Sequence, residues 1–256
     1  SRLRHAKEAA TGNRPYAEKV SEVVHAVAKN AGVDFSHPLL ETHEDGKKLV
    51  FLITSDKGLA GAYSANACKA AEALIEKEND TDFVVVGRKG VGHFKTRGHN
   101  VVREYTGISE HPSSESARDI ALDLIDLFKS GKYREVEMIY TKFISAISCE
   151  PQTERLLPFA PLNPEDEDDL HVEYIYEPDA ATVLGFMLPR YLFTVIYAAL
   201  LQSAASELSS RMNAMSNATD NAEDLMDKLN LHYNKVRQAG ITREITEIVG
   251  GAEALK

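Results

Sequence analysis

Ten residues near the C-terminus, Leu208, Met212, Met215, Thr219, Ala222, Met226, Leu229, Tyr233, Val236 and Gly240, follow one another at steps of four and three without a break. That spacing keeps one stripe of a helix turned toward a partner along a left-handed supercoil, so the chain must contain a long helix with a coiled-coil seam. Met212, Met215, Met226, Thr219, Ala222 and Gly240 occupy positions where a permanent zipper favours Leu and β-branched residues. The seam therefore reads as a smooth, adaptable surface.

The helix that carries it starts where Pro178-Asp179 supplies start chemistry. It is expected to run about 70 residues, to Gly250, which at 1.5 Å per residue is roughly 100 Å. The opposite terminus, SRLRHAKEAA, has good helix formers, no capping box and no turn chemistry, so it reads as the middle of a helix whose upstream part is missing. Val20, Val23, Val24 and Val27 share a face of it, Gly32 is the expected stop, and Pro15 is expected to kink or interrupt it.

Between these helices the period becomes strand-like. KLVFLITS (48–55) is a continuous apolar, β-branched run ending in Asp56-Lys57-Gly58, with a helical stretch from Ser64 through Ile75 behind it. DFVVVG (82–87), VVREYT (101–106), VEMIYTKFIS (136–145) and HVEYIYE (171–177) read as further strands, and ARDIALDLIDLFKSG (117–131) as an amphipathic helix. Strand and helix in alternation imply crossover units and a mostly parallel sheet. The expected fold class is α/β: a long antiparallel coiled coil of the terminal helices (1–32 and 179–256) plus a central Rossmann-like α/β domain at 47–178.

A hydrophobic fraction of 43% over 256 residues is enough for a real core. A net charge of −10 argues against nucleic acid as a partner, because displacing counterions from phosphates needs a basic surface. The charge is uneven: residues 1–19 hold five Lys and Arg against two Glu, a net of +3, whereas 161–180 hold eight acidic groups and no Lys or Arg, which reads as a solvated loop. No apolar run of membrane-span length and no signal-peptide pattern stand out, so the chain reads as cytosolic in character. Cys68 and Cys149 have no second Cys near them and are expected to be buried thiols.

Two glycine-rich turns raise the possibility of an enzyme. SDKGLAGAYSAN sits where a phosphate loop would, between strand and helix, but lacks GxxxxGK[ST] and GxGxxG. GRKGVGHF reads as a tight turn, and His93, His99 and His111 as solvated loop residues without a metal motif. No GxSxG elbow places a nucleophile.

The C-terminal string YNKVRQAGITREITEIVGGAEA (233–254) resembles the ending of the gamma subunit of F-type ATP synthase, through Ile241, Thr242, Glu244, Glu247, Gly251 and Ala252. SSRMNAMSNATDNAEDLMDKLNLHYN, SRLRHAKEAATGNRPYAEKV and SDKGLAGAYSANACKA are similar to the same family, so the resemblance spans the chain. It implies that the terminal helices pair antiparallel into an asymmetric shaft with the α/β domain at its foot. Arg237 and Gln238 match positions that in the family form a polar catch with a catalytic beta subunit; an ordinary solvated helix face is the alternative.

The resemblance further implies three alpha and three beta subunits, the epsilon subunit and the membrane rotor ring of c subunits as partners. ATP, ADP and Mg would lie on partner subunits, with no cofactor on this chain. The expected location is peripheral, at the cytoplasmic face of the bacterial plasma membrane, with membrane contact only through the complex. The function implied is a non-catalytic rotor coupling ion flow to ATP synthesis or hydrolysis. A small α/β nucleotide-binding enzyme that dimerises through its helices, and a coiled-coil adaptor, are the alternatives.

Overall fold

The computed structural model describes residues 2–30, 36–75, 80–159, 177 and 179–253. Apart from Glu177, the strand expected at 171–177 lies outside them, as do Gly32 and most of the acidic stretch. The elements are α1 (Arg2–Asn30), β1 (Lys47–Ile53), α2 (Tyr63–Glu72), β2 (Thr81–Val86), α3 (Arg88–Thr96), β3 (Asn100–Tyr105), α4 (Ser114–Lys129), β4 (Tyr133–Phe143), β5 (Cys149–Leu157) and α5 (Ala180–Glu253). The chain divides into two compact units, Ser1–Met212 and Asn213–Lys256.

The first unit is organised by a sheet of order β3-β2-β1-β4-β5, with β3, β2, β1 and β4 parallel and β5 antiparallel. Strands β1 and β2 are buried on both faces, which is why they read as continuous apolar runs. Alternate residues go to opposite cores. Leu49, Phe51, Ile53, Val84 and Val86 face α4, α1 and α5, while Val50, Leu52, Phe83 and Val85 face α2 and α3.

Two elements differ from the sequence reading. GRKGVGHF is not a simple turn: it opens α3, with Gly87 at its N-cap at φ +92, where a Cβ would lie 2.3 Å from the Thr54 carbonyl oxygen. Strand β5 has no alternating pattern and contains Pro151, which an edge strand tolerates because no second neighbour needs its N–H.

Helix α1 continues through Pro15 rather than breaking there. The residue is exposed, and the Arg14–Glu18 pair, at 2.7 Å, bridges the turn that follows it. The start of α5 is capped as the sequence implies, the Asp179 carboxylate accepting from Thr182 N at 2.8 Å. Helices α1 and α5 pack antiparallel: Ala10 meets Leu201 and Ala205, while the His25 ring lies 6.2 Å from that of Tyr191. Leu184, Leu188, Leu192 and Ile196, at four-residue steps upstream of the seam, bury in the same core as Val24 and Val27 of α1.

Of the seam, Leu208 is buried and Met212 is already exposed. In the second unit every residue from Met215 to Glu253 is exposed, including Ala222, Met226, Leu229, Tyr233 and Val236. Contrary to the sequence reading, α5 also contains an 18-residue window of mean hydropathy 1.6, long and apolar enough to cross a membrane by length and composition. The fully buried Leu and Ile side chains of α5 belong to the core of the first unit. Cys68 is buried, which pushes its thiol up to about 11, aided by Glu72 and opposed by Arg97. Cys149 is only half-buried, its Sγ 3.4 Å from Ser210 Oγ.

Asp82 ties down the N-terminal ends of the parallel strands. Its inaccessible carboxylate accepts from Lys47 Nζ at 3.0 Å, Lys132 Nζ at 2.9 Å and Tyr133 Oη at 2.9 Å. Burial alone would push this carboxyl up, but the bonds from Lys132, Lys47 and Tyr133 outweigh it and hold the group below its ordinary value. Its stabilisation is present above the unfolded carboxylate pKa of about 4 and is lost as pH falls through the depressed folded value. Asp82→Asn should cost about 1–3 kcal/mol at pH 7 and flatten the loss of stability as pH falls below about 4, measured by urea titration.

Candidate functional site

In an open parallel sheet, ligands bind outside the carboxyl ends of the strands where the strand order reverses. Here that crevice lies between β1 and β4, and a segment of α5 occupies it. The cause is a mismatch in strand length. Pairing between β1 and β4 ends at Leu52 and Ile139, whereas β4 continues to Phe143, leaving backbone groups that need partners.

Helix α5 supplies them from one face. Thr141 N donates to Ser203 Oγ at 3.2 Å, Ser206 Oγ donates to Thr141 O at 3.0 Å, and Phe143 N donates to Gln202 Oε1 at 3.1 Å. Ser209 Oγ also donates to Ala146 O at 2.5 Å. Ser203, Ser206, Glu207 and Ser209 are all buried. The sequence reading passed over them; their signal is a polar stripe at helical spacing inside an apolar run.

The turn Asp56–Gly61 forms the other wall. The Asp56 carboxylate accepts from Gly107 N at 2.8 Å and from Ser109 N and Arg88 N at 3.3 Å, stapling the turns after β1, β2 and β3 together. Leu59 has φ +62 and is 73% exposed, so the turn holds an apolar side chain out in a conformation that costs an L-residue about 1–2 kcal/mol. Arg211 of α5 reaches this turn: its Nε and Nη2 donate to Gly58 O at 3.3 Å, and Nη2 to Lys57 O at 3.4 Å. The turn thus offers carbonyl oxygens to a cation, the reverse of the N–H cradle that a phosphate needs.

Arg211 also joins two carboxylates. It donates to Glu207 Oε1 at 2.9 Å and Glu110 Oε1 at 3.2 Å, while Lys57 Nζ lies 3.0 Å and Arg2 3.6 Å from Glu110 Oε2. Burial pushes Glu110 up, but Lys57, Arg211 and Arg2 together hold it below its ordinary value. Glu207, with no accessible surface, stays raised because burial outweighs its bond to Arg211.

Of His93, His99 and His111, only His111 is exposed as expected. His93 Nε2 lies 2.7 Å from Glu72 Oε1, and His99 packs edge-on against Phe83 and Phe94. Residues Arg237, Gln238, Ile241, Thr242, Glu244, Glu247, Gly251 and Ala252 are all exposed on α5. Glu247 is engaged by Arg243 at 2.8 Å, and Ile241, Ile245, Ile248 and Val249 present apolar side chains to solvent.

The sequence matches the ATP synthase family over residues 1–255. It is 42% identical to the ATP synthase gamma chain of Halothermothrix orenii over 258 residues, covering 100% of this chain and 90% of that one. This chain belongs to the ATP synthase gamma chain family. The gamma chain of Moorella thermoacetica is 44% identical with the same coverage. Two solved structures share the gamma-type fold. A chain of the Euglena gracilis mitochondrial ATP synthase (OSCP/F1/c-ring, rotational state 3) has TM-score 0.64 and 18% identity, covering 99% of this chain and 94% of that one. One from the Tetrahymena thermophila enzyme (central stalk/c-ring) has TM-score 0.60 and 23% identity, covering 85% and 97%.

In this gamma chain, Arg211→Ala would leave Glu207 as an uncompensated buried carboxylate and should cost about 3–5 kcal/mol at neutral pH. Because the folded Glu207 pKa is raised, its protonated form is favoured in the fold, so stability falls as pH rises through that value. The loss caused by Arg211→Ala should therefore be smaller at pH 5 than at pH 8, as read by denaturant midpoints.

Proposed function

We propose that this gamma chain is the non-catalytic central rotor of an F-type ATP synthase, turning within three alpha and three beta subunits. The observation that carries the reading is the exposure of every residue from Met215 to Glu253, a stretch that includes the apolar seam and the family signature. Large apolar side chains left in water at helical spacing require a partner, and a mixture of Met, small and aliphatic residues suits one that must change.

On this reading ATP, ADP and Mg are bound by the partner subunits, and rotation acts on them by coupling. A helix that favours one conformation of a beta subunit over another shifts its nucleotide affinity by the same free energy. Arg237 and Gln238 are the residues for a transient grip, since an exposed guanidinium can meet a carboxylate through two parallel hydrogen bonds. The epsilon subunit and the c ring complete the rotor, and the complex sits peripherally at the cytoplasmic face of the bacterial plasma membrane.

Arg237→Ala should lower ATP turnover of the reconstituted complex about tenfold, consistent with a charge-assisted bond contributing about 1.5–3 kcal/mol, while Arg237→Lys restores only part. Unchanged turnover with assembly confirmed would return this face to solvent. Leu229→Asp gives an independent check. Because Leu229 is exposed, the chain's own stability should change by less than about 0.5 kcal/mol while assembly with alpha and beta subunits weakens, read by native mass spectrometry.

A further inference from the structure

A cluster of rings joins α1 to α5 and to the end of β5. The His25 imidazole of α1 stacks on Phe159 with centroids 5.3 Å apart and planes 25° from parallel. It meets Tyr191 of α5 edge-on at 6.2 Å, and Phe159 meets Tyr191 edge-on at 5.4 Å. Phe159 is itself anchored, its N–H donating to Leu39 O at 2.7 Å. Of these rings, only that of His25 changes charge near neutral pH.

The surroundings suit a neutral imidazole. On β5, Glu154 and Arg155 border the same cavity as His25, with opposite charges, and Glu154 accepts from Tyr140 Oη at 2.8 Å. On α5 the bordering residues are Tyr191 and Val195, neither of them a cation or an anion at neutral pH. On α1 itself, Glu22 is engaged by Lys19 at 2.6 Å. Burial, with no carboxylate opposing it, holds the imidazole below its ordinary value. Protonation would add a charge and a second N–H donor among aromatic side chains, and the face of Phe159 returns only part of the lost hydration.

We propose that His25 is an acid-sensitive clasp between the terminal helices: neutral, it holds α1 against Phe159 and Tyr191; protonated, it leaves the ring cluster and loosens this stretch of α1 from α5. The unfolded imidazole titrates at about 6.5, so the clasp is complete above that pH and is lost as pH falls through the lower folded value. The clasp acts within this chain and is independent of the rotor reading.

The test is hydrogen exchange of the full chain, read on peptides spanning 18–28 of α1 and corrected for the intrinsic pH dependence of amide exchange. Between about pH 8 and pH 5, protection there should fall at least about threefold more in the unaltered chain than in His25→Phe, which keeps a stacked ring and does not titrate. His25→Gln, also uncharged throughout, should start with weaker protection and share the flatter pH dependence, so one folded variant suffices. An equal fall in the unaltered chain and in a folded variant overturns the proposal. So does a His25 imidazole that titrates by NMR in the unaltered chain at or above about 6.5, because the fold would then accept its proton without loss; this reading decides the matter even if neither variant folds.

Discussion

Backbone groups at the end of β4 must find hydrogen bonds, and the short neighbour β1 cannot provide them. Thr141 and Phe143 therefore depend on Ser203, Ser206 and Gln202, and α5 is attached to the sheet through the same kind of bonds that hold strands together. From this attachment follow the burial of Glu207, the reach of Arg211 to the turn at Lys57 and Gly58, and the filling of the crevice where a related sheet would receive a ligand.

Much of this was legible in the sequence, and the failures have physical causes. Strands β1 and β2 announce themselves because burial on both faces leaves only apolar, β-branched residues along them. Helix α5 is legible from its length and its cap. Helix α3 was hidden by its glycines, which are there to let a helix start pass against Thr54 and not to make a turn; a Cβ at Gly90 would come within 2.7 Å of Thr54 Oγ1. Strand β5 was hidden because an edge strand obeys a weaker pattern.

The pairing of the terminal helices was foreseen, but its place along α5 was not. A heptad pattern says that a stripe is apolar, not which stripe buries it. Among the described residues, the contacts between α1 and α5 fall at Tyr191, Leu201 and Ala205, upstream of the Met and small residues of the seam. The signature residues Arg237, Gln238 and Ile241 to Ala252 were recognised by resemblance. Folding within one chain leaves them exposed, so their chemistry is legible only toward other subunits.

The serine contacts also fix where α5 can sit along its own axis. Sliding the helix by one turn in one direction would put Ala199 at the place of Ser203, opposite the Thr141 N–H, with no acceptor to offer. The opposite slide would bring Glu207 there and pull Arg211 off the turn at Lys57 and Gly58. A greased apolar contact creeps under load, whereas directional bonds hold in one notch and then let go. The helix is thus keyed to the sheet like a shaft in a slotted hub, and an axial or twisting load along it is carried without lost motion until the key shears.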